Sequence, residues 1–184
     1  YRAVYLEGAR NLREAFPAAK LLFTGSTSVY AQRDGSVVTE ESPAEPDRET
    51  GKILRETEEF VLANGGFVAR LSGLYGPKRS VLLRKFLEGS AVIEGDGSRY
   101  VNQIHRDDAA GAIFYLIAWH CAPGVYNVSD DAPTTQYDLY AWMAEHFRMP
   151  LPPYGPVEAD RKRGVTHKRV SNAKLHGLGW KCRY

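Results

Sequence analysis

Apolar residues recur at helical spacing from the first turn of the chain. Val4, Tyr5, Leu6, Ala9, Leu12 and Phe16 predict a helix over residues 2–16, with Pro17 just beyond it. Residues 20–24 form a short apolar run closed by Gly25, the pattern of a buried parallel strand. A polar stretch rich in Ser, Asp, Glu and Pro follows over 26–49 and predicts a long loop. Thr50 is placed to cap a helix whose face carries Ile53, Leu54, Phe60 and Val61, and Gly65-Gly66 stops it. Phe67–Leu71 predicts a second strand, broken by Gly73 and Gly76-Pro77. Beyond it the pattern predicts a helix over 80–88 and a strand over 91–93 ended by Gly95-Asp96-Gly97. An apolar helix to Trp119 opens at Asp107 and Asp108, whose charge suits a helix N-terminus. A strand over 125–128, a helix from Thr134 or Thr135 to Phe147, and a last short helix over 171–176 complete the series.

Strands alternating with helices imply an α/β fold with a mainly parallel sheet. The composition, 43% hydrophobic and 25% charged, is that of a soluble globular protein. The longest apolar stretch, 109–119, is interrupted by Gly111 and is too short to span a bilayer, and no secretory signal is visible. Cys121 and Cys182 lie far apart and form no pair motif, so neither a disulfide framework nor a metal site is expected, and a cytoplasmic setting is the default. The net charge of +2 is unevenly placed: from Arg148 onward there are nine Lys or Arg against two acids. That basic end suits phosphate on a substrate. It lacks the aromatic–basic signature of RNA binding, which weighs against a nucleic-acid partner.

Three segments carry candidate chemistry. The run ending at Thr24 leads straight into Gly25-Ser26-Thr27-Ser28-Val29-Tyr30, and hydroxyls at the carboxyl end of a parallel strand face the ligand crevice. Taken alone, the same hydroxyls are better read as bonding their own backbone. Arg48 and Lys52 bracket a helix start, where cations oppose the helix dipole unless an anion is bound nearby. Arg70-Leu71-Ser72-Gly73-Leu74-Tyr75-Gly76-Pro77 is a strand opening into a glycine-rich turn that lets backbone approach a ligand.

The order of these segments resembles the extended short-chain dehydrogenases, and is most similar to their atypical epimerase/dehydratase-like branch. The resemblance runs through the helix Tyr1-Arg2-Ala3-Val4-Tyr5-Leu6, the hydroxyl motif Ser26-Thr27-Ser28-Val29-Tyr30 and the Arg70-to-Pro77 strand end. It continues through Gly95-Asp96-Gly97, His105-Arg106-Asp107-Asp108 and Val125-Tyr126-Asn127-Val128. It implies a Rossmann-like, doubly wound sheet with a small α/β substrate lobe. Residues 1–77 would be the C-terminal half of the dinucleotide-binding domain. Residues 78–184 would be mostly substrate lobe, with segments around 100–128 returning to the first domain. It further implies NAD or NADP as cofactor, hydride transfer on a sugar-nucleotide or related carbonyl substrate, and possible homodimers.

By position, the resemblance makes Ser26 the hydroxyl that bonds the substrate oxygen and Lys52 the lysine that bonds the nicotinamide ribose. Gly25, Ser26, Leu71 and Ser72 would line the cofactor, and Thr27, Gly73, Arg99 and His105 the substrate. The sequence departs from the family pattern where it matters for proton transfer. The position of the catalytic tyrosine, four before Lys52, is Arg48, and arginine stays protonated and cannot act as that base. Arg48 is expected instead to stabilise developing negative charge, while Tyr30 is a second phenol to consider. The family's diphosphate-binding arginine, four before the histidine, is Val101 here, with Arg99 or the basic stretch Arg161-Lys162-Arg163 available to compensate.

No Gly-x-x-Gly-x-x-Gly loop occurs in these 184 residues. With Tyr1 rather than Met at the start, the expectation is that the phosphate-binding half precedes residue 1 and is a partner of this segment. The first strand would then show an open edge and bare apolar flanks. Two activities follow: an NAD(P)-dependent epimerase/dehydratase, or a non-catalytic NAD(P)-binding sensor on the same fold.

Overall fold

The computed structural model describes residues 1–119, 121–157 and 165–184. The elements run α1 (Arg2–Ala15), β1 (Leu22–Ser26), a 3₁₀ turn (Thr27–Val29), β2 (Val37–Val38), α2 (Glu49–Ala63), β3 (Phe67–Leu71), β4 (Gly73–Tyr75) and α3 (Val81–Leu87). They continue with β5 (Ile93–Glu94), β6 (Tyr100–Val101), β7 (Gln103–His105), α4 (Arg106–Ala118), β8 (Gly124–Val128), β9 (Thr134–Thr135), α5 (Gln136–Phe147), β10 (Tyr154–Gly155), β11 (Arg169–Val170) and α6 (Ala173–Gly177).

The main sheet is parallel, in the order β1-β3-β8. Each side of it is covered, as a doubly wound α/β fold requires. The central strand shows why. Phe67 and Ala69 join Ala109, Ala112, Leu116, Tyr126, Val128 and Leu175 on the side of α4 and α6. Val68 points the other way, to Ala9 of α1 and Val61 of α2, and Arg70, two residues on, reaches Glu58 of α2 on that same side. A further cluster of Phe86, Ala91, Ile93, Tyr140 and Met143 joins α3, β5 and α5 beside this sheet.

Several expectations change in detail. The first strand spans 22–26 rather than 20–24, because the ladder continues through Gly25 opposite Arg70 and Ser26 opposite Leu71. On α1 only Leu6, Ala9 and the half-buried Tyr5 pack inward, whereas Val4, Leu12 and Phe16 face solvent. α2 starts before Thr50. Arg48 is its N-cap, with no side-chain cap, because the Arg48 carbonyl accepts from the amides of Gly51 and Lys52, each at 3.0 Å. The 26–49 loop is packed rather than loose: Val29, Tyr30 and Val38 are buried with Leu54 and Val170, and β2 pairs with β11. Among the described residues β1 pairs with β3 alone in the sheet, and no helix is long and apolar enough to cross a membrane.

Candidate functional site

The carboxyl ends of β1 and β3 open into a cavity of about 550 Å³, where open parallel sheets place their ligands and within the size range of small-molecule pockets. Gly25, Ser26 and Ser28 line it from β1 and the following turn, Leu71 and Ser72 from β3, and Arg48 and Gly51 from the start of α2.

Ser26 caps the 3₁₀ turn by accepting a hydrogen bond from the Ser28 amide at 3.2 Å. That bond uses a lone pair of the hydroxyl and leaves its O–H able to donate into the cavity. Ser26 therefore orders its own backbone while lining the cavity. The Ser72 hydroxyl is buried and donates to Ser129 Oγ at 3.0 Å. Arg48 reaches the cavity because the chain enters α2 in an extended conformation at this residue. Arg33 and Arg79 add two more guanidinium groups, and Asp47, the acid among the described lining residues, is paired with Arg33 at 2.9 Å. Arg48 and Arg79 line the cavity together with Arg33.

Other predicted residues lie elsewhere. Lys52 is exposed and does not line the cavity. Thr27 is buried behind the turn, and Gly73 sits on β4 with its amide bonded to Asn102 O at 3.0 Å. Arg99 lines a separate cavity of about 260 Å³ beside Glu94 and Tyr140, and burial lowers its pKa. His105 is buried. Its Nδ1 accepts from the Asp107 amide at 3.3 Å, capping α4, and its ring lies between Tyr75 and Tyr184. Arg161, Lys162 and Arg163 fall outside the described residues.

Tyr30 does not serve the cavity as a phenol. It is fully buried, its OH donates to Asn127 Oδ1 at 2.9 Å and accepts from Arg70 Nη1 at 2.7 Å, and burial raises its pKa. Among the described residues, the phenols that line the cavity are Tyr1, the N-cap of α1, and Tyr5 of α1, which sequence reasoning missed. It also missed Arg33, Arg79 and Thr166. Arg79 alone carried a local signal, standing just past the Gly76-Pro77 turn. Arg33 and Thr166 are brought in by long-range packing.

No protein-family model matches the sequence. The chain is 28% identical to the protein YeeZ of Escherichia coli K12 over 98% of its own length, and spans 65% of the length of that curated relative. It is 31% identical, with a TM-score of 0.82, to a Methylobacillus flagellatus structure described as an NAD-dependent epimerase/dehydratase; the match covers all of this chain and 67% of that one. The fold alone is shared with a UDP-N-acetylglucosamine 4-epimerase of Methanobrevibacter ruminantium, at 18% identity and a TM-score of 0.83 over all of this chain and 64% of that one.

Proposed function

Because the chain belongs to the NAD-dependent epimerase/dehydratase family of extended short-chain dehydrogenases, we propose that it binds the nicotinamide end of NAD or NADP beside an anionic, sugar-nucleotide-like substrate in an NAD(P)-dependent epimerase/dehydratase reaction. The observation that carries this reading is the cavity at the strand ends, which Ser26, Arg48 and Arg79 all line. Its volume and its mixed apolar and hydroxyl lining, from Leu54 and Leu71 to Ser26 and Ser72, suit a nicotinamide ring with its ribose and the reacting end of a substrate. The pyrophosphate would be held outside these residues, toward the open edge of β1.

When bound, a nicotinamide cofactor supplies hydride acceptance and donation. The chain's residues orient and polarise. Ser26 donates to the substrate oxygen whose carbon exchanges hydride. Arg48 and Arg79 hold a phosphate or carboxylate of the substrate, a task to which the guanidinium fork is suited. Tyr5 is the proposed proton-exchanging phenol in place of the family tyrosine. Lys52, on the exposed side of the same helix turn as Arg48, is proposed to meet the ribose where it leaves the cavity.

A second reading, a non-catalytic NAD(P)-binding sensor, is favoured by one observation: the tyrosine position is Arg48, and that arginine faces the cavity. Titration with NADH and NADPH, followed by turnover assays on a panel of sugar nucleotides, separates the two. The enzyme reading expects turnover that falls at least tenfold in Ser26→Ala and in Tyr5→Phe with cofactor affinity retained. Cofactor binding with no turnover by any substrate selects the sensor. Absence of cofactor binding by the protein at its full natural length rejects both.

A further inference from the structure

Away from the cavity, three side chains of different chemistry converge on one point: Asp131 in the loop after β8, His176 on α6 and Cys182 beyond it. A carboxylate oxygen, a ring nitrogen and the thiol sulfur lie within 4.8 Å of one another. We propose that Asp131, His176 and Cys182 form a zinc-binding site that ties residues 182–184 to the loop after β8.

The donor set argues for zinc. A thiolate with an imidazole and a carboxylate suits a borderline-soft ion and is foreign to calcium or magnesium, which take oxygen ligands. One carboxylate and one thiolate also balance the two positive charges, and a neutral assembly tolerates partial burial better than a charged one. Lys181 adds an adjacent positive charge that opposes a cation, and the two anionic ligands outweigh it.

The geometry is close to that of a bound ion. Donor atoms at about 2.0–2.3 Å from a tetrahedral zinc stand roughly 3.3–3.8 Å apart. His176 Nε2 and Asp131 Oδ1 are 3.0 Å apart, and all three atoms fall within 4.8 Å. Side-chain adjustments of about 1 Å or less would close the site, with water as a fourth ligand on the exposed side of Asp131.

Contacts around the ligands hold them in place, and Asn172 Nδ2 stands against two of them, Asp131 Oδ1 at 2.7 Å and His176 Nε2 at 3.3 Å. Asn172 Nδ2 donates to Asp131 Oδ1 at 2.7 Å and to Ser129 O at 2.9 Å, fixing the loop against the start of α6. The neighbour of His176, Leu175, is fully buried in the main core. The segment after Cys182 is clamped where the Asp108 carboxylate accepts the Arg183 and Tyr184 amides at 3.0–3.1 Å. Outer contacts of this kind orient metal ligands. The sequence hides the set because its members are separated by 45 and 6 residues and only one is a cysteine.

The test is a zinc titration against a chromophoric chelator on the reduced protein, with cobalt(II) as a spectroscopic substitute. The expected result is one zinc per chain and a tetrahedral cobalt spectrum with a thiolate-to-metal charge-transfer band. Cys182→Ser should remove the band, and His176→Gln and Asp131→Asn should each weaken zinc at least tenfold. Asp131→Asn keeps an oxygen for Asn172, so the loop anchor survives, and thermal unfolding of each metal-free variant checks that it folds. Less than one zinc per chain, or a charge-transfer band that persists in Cys182→Ser and disappears in Cys121→Ser, overturns the proposal. So does zinc affinity unchanged in His176→Gln and Asp131→Asn.

Discussion

Arg70 and Glu58 are joined by two hydrogen bonds in the interior, Nε to Oε1 at 3.1 Å and Nη2 to Oε2 at 2.7 Å, with side chains 3% and 0% exposed. The pair links the central strand to α2, and Arg55 adds a second contact to Glu58. Arg70 also donates to Tyr30, which passes the network on to Asn127 of β8. Arg70 opposes Gly25 in the sheet, and Gly25 lines the cavity. A buried charge without its partner is costly. Glu58→Gln is expected to destabilise the fold by about 3–5 kcal/mol. The pair Glu58→Gln with Arg70→Met should cost less than the sum of the single changes by at least about 1 kcal/mol. Denaturant unfolding of the four proteins measures this, and additive costs would show that the two side chains are not coupled.

Gly51 shows how closely the first turn of α2 is fitted. A Cβ there would stand 2.5 Å from Pro46 Cβ and 3.0 Å from its Cγ. Helix propensity alone predicts that Gly51→Ala stabilises by roughly 1 kcal/mol. The contact with Pro46 should reverse that sign, since overpacking costs about 1–3 kcal/mol. Gly51 and Arg48 both line the cavity, so ligand affinity is expected to fall with stability. A rise in Tm for Gly51→Ala would mean that Pro46 moves aside freely.

These two cases mark what the sequence makes legible. The elements of the main sheet can be read from local pattern, because β3 is a short run, continuously buried from Phe67 to Arg70, and the buried positions of α2 fall on one face. The two-residue strands cannot, since β2 exists only by pairing with β11 across the length of the chain. The hydroxyl turn at Ser26 was legible because chemistry and strand end coincide in a few residues. The fate of Tyr30 was not, because its partner Asn127 is 97 residues away. The direction in which Arg48 and Lys52 point depends on where α2 begins, and a shift of two residues at a helix start turns a side chain through more than half a turn.

His105 tests a structural role against a substrate-binding one. Its ring caps α4 and packs against Tyr184 with ring centroids 4.0 Å apart. His105→Ala should lose the cap and the ring contacts, a cost of about 2–4 kcal/mol. His105→Asn, which restores a capping group, should recover about 1 kcal/mol of it. Stability read by denaturant unfolding, alongside KM for any substrate found, separates the roles. Unchanged stability with a raised KM would move His105 into the binding site.

Lys168 supplies the pH prediction. It is 3% exposed, and its Nζ donates to Tyr30 O at 3.0 Å and Thr166 Oγ1 at 2.9 Å. Burial, aided by the positive charge of Arg99, pulls its pKa from 10.5 down to about 8. The neutral amine keeps two N–H donors and can hold both bonds. Between about 8 and 10.5 the unfolded chain binds the proton that the folded chain has released, so stability contributed by this group rises with pH across that window. Below it, the fold carries the cost of a buried ammonium. Relative to Lys168→Met, which lacks the titration, the natural protein should gain about 2–3 kcal/mol between pH 7 and pH 10. Comparing the two proteins cancels the titration of the tyrosines and other lysines. A stability difference that stays flat across this range would show that the Lys168 ammonium is solvated in the folded state.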